Sequence, residues 1–289
     1  MASLDGIWIG KKYFFTFAYD VKEYERNSAP TDDFVKLIAE KKTDIYTFLE
    51  RSWCCPIADP PKKWLKSPDN VALVNISTYD EWLTRVGKKT RNMVRKAEKA
   101  GIIIEPVESS EKLADGIWKI YNESPIRQER PFPHYGKTLE QVKAMVFYPV
   151  NGVFIAAYLE DELAGFIHLI FGDQIGIISQ ILSMQKHQDK AVNNALLAKA
   201  IEVCAHKKIQ WIMYGRIGNH PSLDKFKESN GFAKYPLTRY YLVLTRKGRI
   251  ASMLGLHRNL KDRLPQWLKL HLFPVYNWVS KTRVKTEKV

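Results

Sequence analysis

Residues 153–184 read VFIAAYLEDELAGFIHLIFGDQIGIISQILSM, and this stretch decides the fold. Its apolar and β-branched runs predict strands joined by short polar turns. The expected strands are Val153–Leu159, Leu163–Phe171 and Ile175–Met184, and the turns are Glu160–Glu162 and Gly172–Gln174. Because turns this short join antiparallel neighbours, we expect an antiparallel meander at the centre of the molecule.

The polar segment 185–193 follows the meander and precedes a helix. One face of that helix is apolar at helical spacing, with Leu196, Leu197, Ala200, Ile201 and Cys204. Beyond it the pattern predicts, in order, a strand, a short helix and a last strand: Gln210–Tyr214, Ser222–Ser229 and Arg239–Thr245.

Upstream of the meander the pattern is mostly helical. A helix is expected to begin at Tyr79, with Asp80 as its cap, and to end at Gly101. The other elements predicted there are the strands Tyr13–Tyr19, Val71–Ile76 and IIIEPVE at 102–108, the helices Asp33–Ala39, Glu111–Tyr121 and Leu139–Phe147, and a loop around Pro56–Pro61.

The order of these elements predicts an α+β fold with one mixed, mostly antiparallel central sheet flanked by helices. We divide the chain into an N-terminal extension packed on the core at 1–70, a central domain at 71–247, and a basic amphipathic helical C-terminal tail at 248–289. No internal repeat or low-complexity tract is visible, which excludes solenoid and fibrous folds.

Composition excludes several classes of protein. Of the 289 residues 45% are apolar and 12% aromatic, enough for a packed core, so wholesale disorder is excluded. Three cysteines, with Cys54 and Cys55 adjacent, form neither a disulfide framework nor a metal site of recognisable spacing. The sequence has no secretory signal and no apolar run of the roughly 18 residues that span a bilayer. We therefore expect a cytoplasmic protein without a metal.

The positive charge is concentrated in two segments of the chain. There are 45 basic and 31 acidic residues, and 85–99 and 251–289 each have an excess of 6 basic residues. Such clusters indicate a phosphate-bearing substrate, a nucleic acid or an anionic membrane, although solvated lysine-rich helices give the same pattern. Arg91 and Arg95 lie four residues apart on one helix face, so we predict that they bind the anionic part of a substrate.

Motifs downstream of the meander resemble those of the GNAT acyltransferase superfamily. Gln188-Asp189-Lys190-Ala191-Val192-Asn193 is similar to the Gln/Arg-x-x-Gly-x-Gly/Ala loop that holds acyl-coenzyme A at a helix N-terminus, with alanine and asparagine replacing the glycines. Asn219, Phe226, Gly231 and Phe232 match the family's Asn…Tyr…Gly-Phe spacing, with phenylalanine replacing the proton-donating tyrosine. The resemblance implies that the cofactor-binding residues are Gln188, Lys190, Ala191, Val192, Asn193, Asn194 and Asn219. An ordinary strand-to-helix connection is the alternative.

Within that superfamily the chain is most similar to the Fem-type (FemABX-like) peptidyl and aminoacyl transferases. The segments that carry the resemblance are KKTRNMVRKAEKAGI at 88–102, Asn193-Asn194-Ala195-Leu196-Leu197, and Phe226-Lys227 ahead of Gly231-Phe232. It implies that Lys227 is catalytic, stabilising an oxyanion or holding a donor phosphate, with Phe226 beside the donor. A solvated surface lysine and a core phenylalanine are the alternatives.

The polar segment NESPIRQERPFPHYGK at 122–137 lies where the superfamily forms its acceptor cleft. Arginines there suit bidentate recognition of a carboxylate or phosphate. Together with Arg91 and Arg95, the residues predicted to bind substrate are Glu123, Arg127, Arg130, His134 and Tyr135. His168, in the middle of a meander strand, is a candidate catalytic base, and a buried core histidine is the alternative.

The resemblance implies an acyltransferase of cell-envelope biosynthesis that moves an acyl or aminoacyl group to an amine on a glycan, or on a nucleotide- or lipid-linked sugar or peptide. Acyl-CoA, such as acetyl-CoA, is the expected co-substrate, and aminoacyl-tRNA is the alternative donor. An RNA-binding module and a non-catalytic GNAT-like scaffold are alternatives of other classes.

The segment Leu254–Val279 interleaves apolar residues with lysine, arginine and histidine. Pro265 and Pro274 divide it into helices too short to span a bilayer, and tryptophan and tyrosine border its basic faces. We therefore expect salt-sensitive, peripheral attachment of the tail to the inner face of an anionic membrane. Packing of the tail on the sheet is the alternative.

Overall fold

The computed structural model describes residues 6–27, 29–128, 130–218 and 220–258. The first helices and strands are β1 Ile7–Lys12, β2 Phe15–Asp20, α1 Asp32–Glu40, β3 Ile45–Glu50, β4 Leu65–Asn75, α2 Tyr79–Arg85, α3 Lys88–Lys99, β5 Ile102–Val107 and α4 Glu111–Asn122. They continue with β6 Ile126–Arg127, β7 Arg130–Pro131, α5 Leu139–Val146, β8 Gly152–Leu159, β9 Glu162–Gly172, β10 Ile175–Ser183, α6 Val192–His206, β11 Trp211–Met213, α7 Pro221–Ser229, β12 Ala233–Val243 and α8 Arg246–Met253.

One 10-stranded sheet runs through the described residues in the order β1-β2-β3-β12-β4-β11-β10-β9-β8-β5. The pairs β2–β3 and β10–β11 are parallel, and the other neighbours are antiparallel. This confirms the predicted mixed, mostly antiparallel sheet. The predicted meander is β8, β9 and β10, and the limits of each strand are within one residue of the prediction. Four short predicted helices are also confirmed, each with limits within one residue of the prediction: they are α1, α4, α5 and α7.

The two faces of the sheet carry different helices. Phe154 and Ala156 of β8 belong to a buried cluster with residues of α4 and α5, whereas Ile155 and Ala157 belong to a cluster with residues of α6. Successive residues of a strand point to opposite faces, so α4 and α5 lie on one face and α6 on the other. Helices α2 and α3 pack against α6.

The predicted helix Tyr79–Gly101 is two helices, α2 and α3. Val86 between them is extended, and Gly87 is the N-cap of α3. Arg91 accounts for the break, because its guanidinium donates to three carbonyl oxygens at the end of α2, including that of Val86. These carbonyls would otherwise have no partner at a helix C-terminus.

Side-chain caps set the start of several helices. The hydroxyl of Thr78 caps α2, so the prediction of Asp80 as the cap is wrong. Asp80 lies in the first turn, where a carboxylate is favourable toward the helix dipole. Ser110 caps α4, and Thr138 forms a capping box with Gln141 at the start of α5.

The N-terminal residues extend the same sheet. The predicted strand Tyr13–Tyr19 corresponds to β2, Phe15–Asp20. It begins two residues later than predicted, because the chain turns at Tyr13, with φ 58°, to form the β1–β2 hairpin. Strand β3 has buried side chains on both faces and lacks the alternation that predicts a strand. Strand β4 begins at Leu65, crosses the expected boundary at residue 70, and lies between β12 and β11. The three domain limits stay predictions.

The C-terminal part of the chain departs from the prediction in one strand. β12 covers Ala233–Val243 rather than Arg239–Thr245, since it pairs with β4 from Ala233 to Tyr241. Residues 259–289, most of the predicted tail, lie outside the described residues. Among the residues described, no helix has the length and apolar character to cross a membrane, and no group of three or more His, Cys, Asp or Glu residues could hold a metal ion.

Candidate active site

The parallel strands β10 and β11 diverge in the middle of the sheet. They pair from Ile175–Ile177 to Trp211–Met213. Beyond that point β10 continues to Ser183, whereas the chain after β11 stays bonded to β4, with the Tyr214 N–H donating to the Ala72 carbonyl oxygen. A gap therefore opens between β10 and the segment that follows β11.

Helix α6 begins just after β10 ends, beside this gap. Gln185–Lys190 forms a short 3₁₀ helix, and Ala191 then takes the left-handed conformation with φ 57°. Gly165 of β9 allows α6 to approach closely, because a Cβ at that position would lie 2.8 Å from Val192 Cγ1. The Asn193 Oδ1 atom is buried and accepts no hydrogen bond from the part of the chain that the structure describes. The first turn of α6 thus combines backbone N–H groups with an unused polar side chain.

Most of the predicted cofactor-binding residues lie together at this turn. They are Gln188, Lys190, Ala191, Val192, Asn193 and Asn194. The Val192 side chain is buried in the core, which leaves its backbone to meet a ligand. Ala191 occupies the first glycine position of the family pattern, and its positive φ shows why glycine suits that position. Asn219 lies outside the described residues.

The basic helix α3 packs against α6 and against the 3₁₀ helix. Arg95 is exposed on α3, whereas Arg91 is half-buried and its guanidinium is bonded to the carbonyls of α2. The helix therefore brings positive charge close to the start of α6. Substrate binding by Arg91 and Arg95 stays a prediction, and the structure adds a role for Arg91 in ending α2.

The predicted catalytic lysine is buried beside the gap. Lys227 of α7 is 3% exposed, and its Nζ donates to the Arg216 carbonyl oxygen at 2.7 Å. The same ammonium lies 4.6 Å from the centre of the Tyr214 ring, and burial lowers the pKa of Lys227. Lys227 is therefore not a solvated surface lysine. Phe226 packs against the core cluster of α6.

A cavity of about 610 Å³ lies on the α4–α5 face of the sheet. Its lining residues are His134, Lys137, Ala144, Met145, Tyr148, Val150, His168, Ser179 and Gln180. Ser179 is the bulged residue of β10, where the register against β9 shifts between Ile178 and Gln180. The structure thus brings His134 and His168, predicted from separate segments, into one cavity. We call it the histidine cavity.

His168 is a neutral base in the wall of the histidine cavity. Its ring stacks on Phe154 with the centres 4.2 Å apart. Burial lowers the pKa of His168, because the charged imidazolium loses its hydration there. Its Nε2 is buried and has no hydrogen-bond partner among the described residues. A neutral imidazole with an unused nitrogen can accept a proton.

His134 is held by a short chain of hydrogen bonds. The Tyr121 hydroxyl donates to Gln180 Oε1 at 2.6 Å, which directs the Gln180 amide nitrogen to His134 Nε2 at 3.0 Å. Burial, followed by the charges of Lys137 and Arg127, lowers the pKa of His134 to about 4. Its Nε2 accepts this hydrogen bond, so His134 is better placed to fix Gln180 than to take a proton.

Glu123 and Arg127 join the predicted acceptor segment to the segment before α6. The Glu123 carboxylate accepts the N–H groups of Gln185 and Lys186 at 2.7 and 3.1 Å, and it pairs with Arg127 at 3.0 Å. Arg127 also donates to the Ser183 carbonyl oxygen at 2.7 Å. Both side chains are thus engaged within the protein, and substrate binding by them stays a prediction. Of the other predicted binding residues, Tyr135 is exposed, and the Arg130 side chain lies outside the described part of the structure.

A second cavity, of about 520 Å³, lies on the same face across the gap, and we call it the ion-pair cavity. Glu23 holds the Arg239 guanidinium through two bonds of 2.7 and 2.9 Å. Asp69 then bridges the Nε atoms of Arg239 and Arg216 at 3.0 and 2.8 Å. Lys12 and Arg258 add further positive charge to the lining. No local motif indicates this cluster, because its members come from distant parts of the sequence.

Comparisons with known proteins agree with this geometry. Residues 114–232, somewhat under half of the chain, match the family described as the acetyltransferase (GNAT) family. No relative is found among curated protein sequences. The solved structure of FemX is similar with a TM-score of 0.61, at 11% identity over 86% of this chain and 85% of that chain. L-PGS from Bacillus licheniformis is similar with a TM-score of 0.55, at 13% identity over 88% and 86% of the two chains.

At these identities the two structures establish the fold, which extends over most of the described chain, well beyond the matched family segment. The family match covers α5, the meander, the start of α6 and the α7 segment with Lys227. These are the elements that surround the gap. Residues 114–232 therefore resemble the acetyltransferase (GNAT) family, and the described chain shares the fold of FemX and L-PGS.

Proposed function

We propose that the protein transfers an acyl or aminoacyl group from a phosphate-bearing donor to an amine, in the gap between β10 and β11. The observation that carries the proposal is the set of groups on the elements around this gap. They are a helix N-terminus after β10, a buried ammonium bonded to the segment after β11, and a neutral imidazole on β9, the strand next to β10. The amine nitrogen attacks the carbonyl carbon of a thioester or ester, the C–N bond forms, and the C–S or C–O bond breaks. The amine also loses a proton, so the reaction needs a base as well as oxyanion stabilisation.

The donor is acyl-coenzyme A in this proposal, with its pyrophosphate on the first turn of α6. Backbone N–H groups there and the helix dipole favour a phosphate. Lys190, Gln188 and the unpartnered Asn193 Oδ1 offer side-chain contacts to the rest of the cofactor. The positive charge of α3, which packs against the 3₁₀ helix, strengthens the same anion site.

Lys227 and His168 take the two chemical roles. The Lys227 ammonium points to the Arg216 carbonyl beside the gap, and an ammonium there stabilises the oxyanion or a donor phosphate. His168 accepts the proton of the attacking amine through its unused Nε2, directly or through water. His134 and Gln180, which are hydrogen-bonded to each other, line the histidine cavity beside the amine.

The acceptor in this proposal is anionic and belongs to the cell envelope, and the reaction is cytoplasmic. Support for negative charge comes from the ion-pair cavity, where Lys12 and Arg258 bond to backbone carbonyl oxygens, and no carboxylate of the described residues pairs with either of them. Phe17, Tyr19 and Tyr241 provide ring surfaces for a sugar or base. A glycan or a nucleotide- or lipid-linked sugar or peptide combines these features.

Aminoacyl-tRNA is the second candidate donor, favoured by the exposed basic residues of α3 next to the start of α6. A thermal-shift experiment with acetyl-CoA, a longer acyl-CoA and aminoacyl-tRNA separates the two. A donor at 100 times its dissociation constant stabilises the folded state by about 2.7 kcal/mol, which is readily measured. A shift with tRNA alone would replace acyl-CoA by tRNA, and no shift with any donor would favour a non-catalytic scaffold.

Replacing the ammonium of Lys227 tests the chemistry once a donor is known. Lys227→Met keeps the buried chain and removes the charge, so we expect turnover to fall by about 10²- to 10³-fold, as for loss of one oxyanion donor. Lys225→Met on the exposed side of the same helix is the matched control and should retain turnover. Melting temperatures of both variants show whether the fold is intact. Equal turnover of the two variants would remove Lys227 from the mechanism.

A further inference from the structure

Large apolar side chains are exposed at one corner of the molecule, remote in sequence from the proposed chemistry. Tyr13 and Phe14 form the tip of the β1–β2 hairpin, and Ile250, Met253 and Leu254 lie on or just after α8. These five side chains are between 48% and 79% exposed. A contiguous exposed apolar patch in a folded protein marks an interaction surface.

The hairpin tip and α8 are neighbours in space. Lys12, just before the tip, donates from Nζ to the carbonyl oxygens of His257 and Arg258 at 3.2 Å each. Phe15, just after the tip, shares a buried cluster with Ala251 of α8. The exposed residues of both elements therefore belong to one surface, which we call the hairpin–helix corner.

Exposed basic side chains lie on the same two elements as these apolar side chains. Arg246, Lys247 and Arg249 are exposed on α8, and Lys11 is exposed on the hairpin. Helix α8 contains no acidic residue. Exposed apolar and basic side chains on the same elements match the interface of an anionic bilayer, where the apolar groups enter the acyl boundary and the cations meet the headgroups.

We propose that the hairpin–helix corner is a docking surface for an anionic lipid bilayer. The apolar groups protrude from a turn and a helix face and do not line a groove, so a fluid interface accommodates them without a complementary shape. The chain also continues from this corner into residues 259–289, whose sequence has seven basic and two acidic residues together with Trp267, Tyr276 and Trp278. The proposal concerns the described corner and is independent of the acyl-transfer chemistry.

Co-sedimentation of the full chain with vesicles tests the proposal. We expect binding to vesicles that contain phosphatidylglycerol, little binding to pure phosphatidylcholine, and release at high salt. Tyr13→Ser/Phe14→Ser and Ile250→Gln/Met253→Gln should each lower the bound-to-free ratio by about fivefold or more. Arg246→Glu/Arg249→Glu should lower it by about tenfold or more on anionic vesicles.

Ile103→Gln is the matched control, because Ile103 is 62% exposed on β5, at the opposite end of the sheet. It should bind vesicles as the wild-type chain does. Vesicle binding that is equal in all variants would assign attachment to residues 259–289 alone and overturn the proposal. Absence of binding, or a concentration-dependent dimer that the corner variants abolish, would overturn it as well. Unchanged melting temperatures exclude misfolding of the variants.

Discussion

The histidine cavity and the ion-pair cavity lie on one face of the sheet, on either side of the same gap, yet they bury opposite kinds of group. His134 and His168 pack against aromatic rings, no carboxylate of the described residues bonds to them, and burial lowers both pKa values. The Arg239 side chain is also largely buried, but Glu23 and Asp69 bond to it and raise its pKa against the effect of burial.

The difference shows that partners, and not burial alone, set the direction in which the pKa of a buried group shifts. Desolvation disfavours the charged form in both cavities, and close carboxylates reverse the outcome in one of them. Neutral histidines, as in the histidine cavity, are suited to proton transfer. The linked ion pairs of the ion-pair cavity are suited to joining strands and attracting an anion. In the proposed transfer reaction, the histidine cavity would supply the base and the ion-pair cavity would bind the acceptor.

The ion-pair chain should give the largest effect on stability. Arg239→Ala leaves Glu23 and Asp69 without their shared partner, and breaking a buried pair in this way costs about 3–5 kcal/mol. Urea denaturation measures this decrease in the free energy of unfolding. Lys234→Ala, at an exposed position of the same strand, is the control and should change stability by about 0.5 kcal/mol or less. A loss below about 1 kcal/mol for Arg239→Ala would mean that water replaces the guanidinium, and the contrast between the cavities would fail.

The neutral histidines should make the protein acid-sensitive. The pKa of His134 is about 4 in the folded chain and 6.5 ordinarily. Below pH 6.5, His134 therefore binds a proton in the unfolded chain but stays neutral in the folded chain. The contribution of His134 to the free energy of unfolding is therefore complete above pH 6.5 and decreases as the pH falls toward 4. His134→Gln removes this contribution, and its melting temperature should fall less between neutral and mildly acidic pH than that of the wild type.

The exposed His206 on α6 is the control for this measurement, and His206→Gln should leave the pH dependence of the wild type in place. If His134→Gln and the wild type lose stability in parallel, His134 takes up its proton in the folded state. The histidine cavity would then hold charge, as its neighbour does.

The smallest expected effect lies at the turn beside the gap. Ala191 has a positive φ, which costs a residue with a Cβ about 1 kcal/mol. Ala191→Gly should therefore raise the free energy of unfolding by about 0.5 kcal/mol after the greater freedom of the unfolded glycine is subtracted. Ala198→Gly, inside α6, should instead lower it by about 1 kcal/mol or more. Equal losses at the two positions would show that the left-handed turn is not strained.

Sequence patterns predicted the meander closely because its turns are short and its strands are rich in β-branched residues. They failed for β3, whose side chains are buried on both faces and so show no alternation. They failed again at Val86, because the break between α2 and α3 depends on an arginine side chain that returns to the carbonyls of the preceding turn. In both cases tertiary contacts override the local pattern.

The candidate site divides in the same way. The contiguous turn from Gln188 to Asn194 could be predicted from a motif, since all its parts are neighbours in sequence. The pairing of Glu23 with Arg239 could not, because 216 positions separate them and only the sheet order brings them together. The burial of Lys227 was also hidden, because a short helix with charges on several sides does not reveal which side faces the protein.

The position of β12 between β3 and β4 has a consequence for the synthesis of the chain. The Thr47 hydroxyl of β3 bonds to the Tyr240 carbonyl of β12, 193 positions later. During translation β3 and β4 therefore emerge long before the strand that separates them, and their open edges must be kept from pairing with each other or with other chains. Such late closure predicts slow folding and a need for chaperones. A nascent chain released before residue 233 would be a substrate for aggregation and proteolysis, and not a smaller working enzyme.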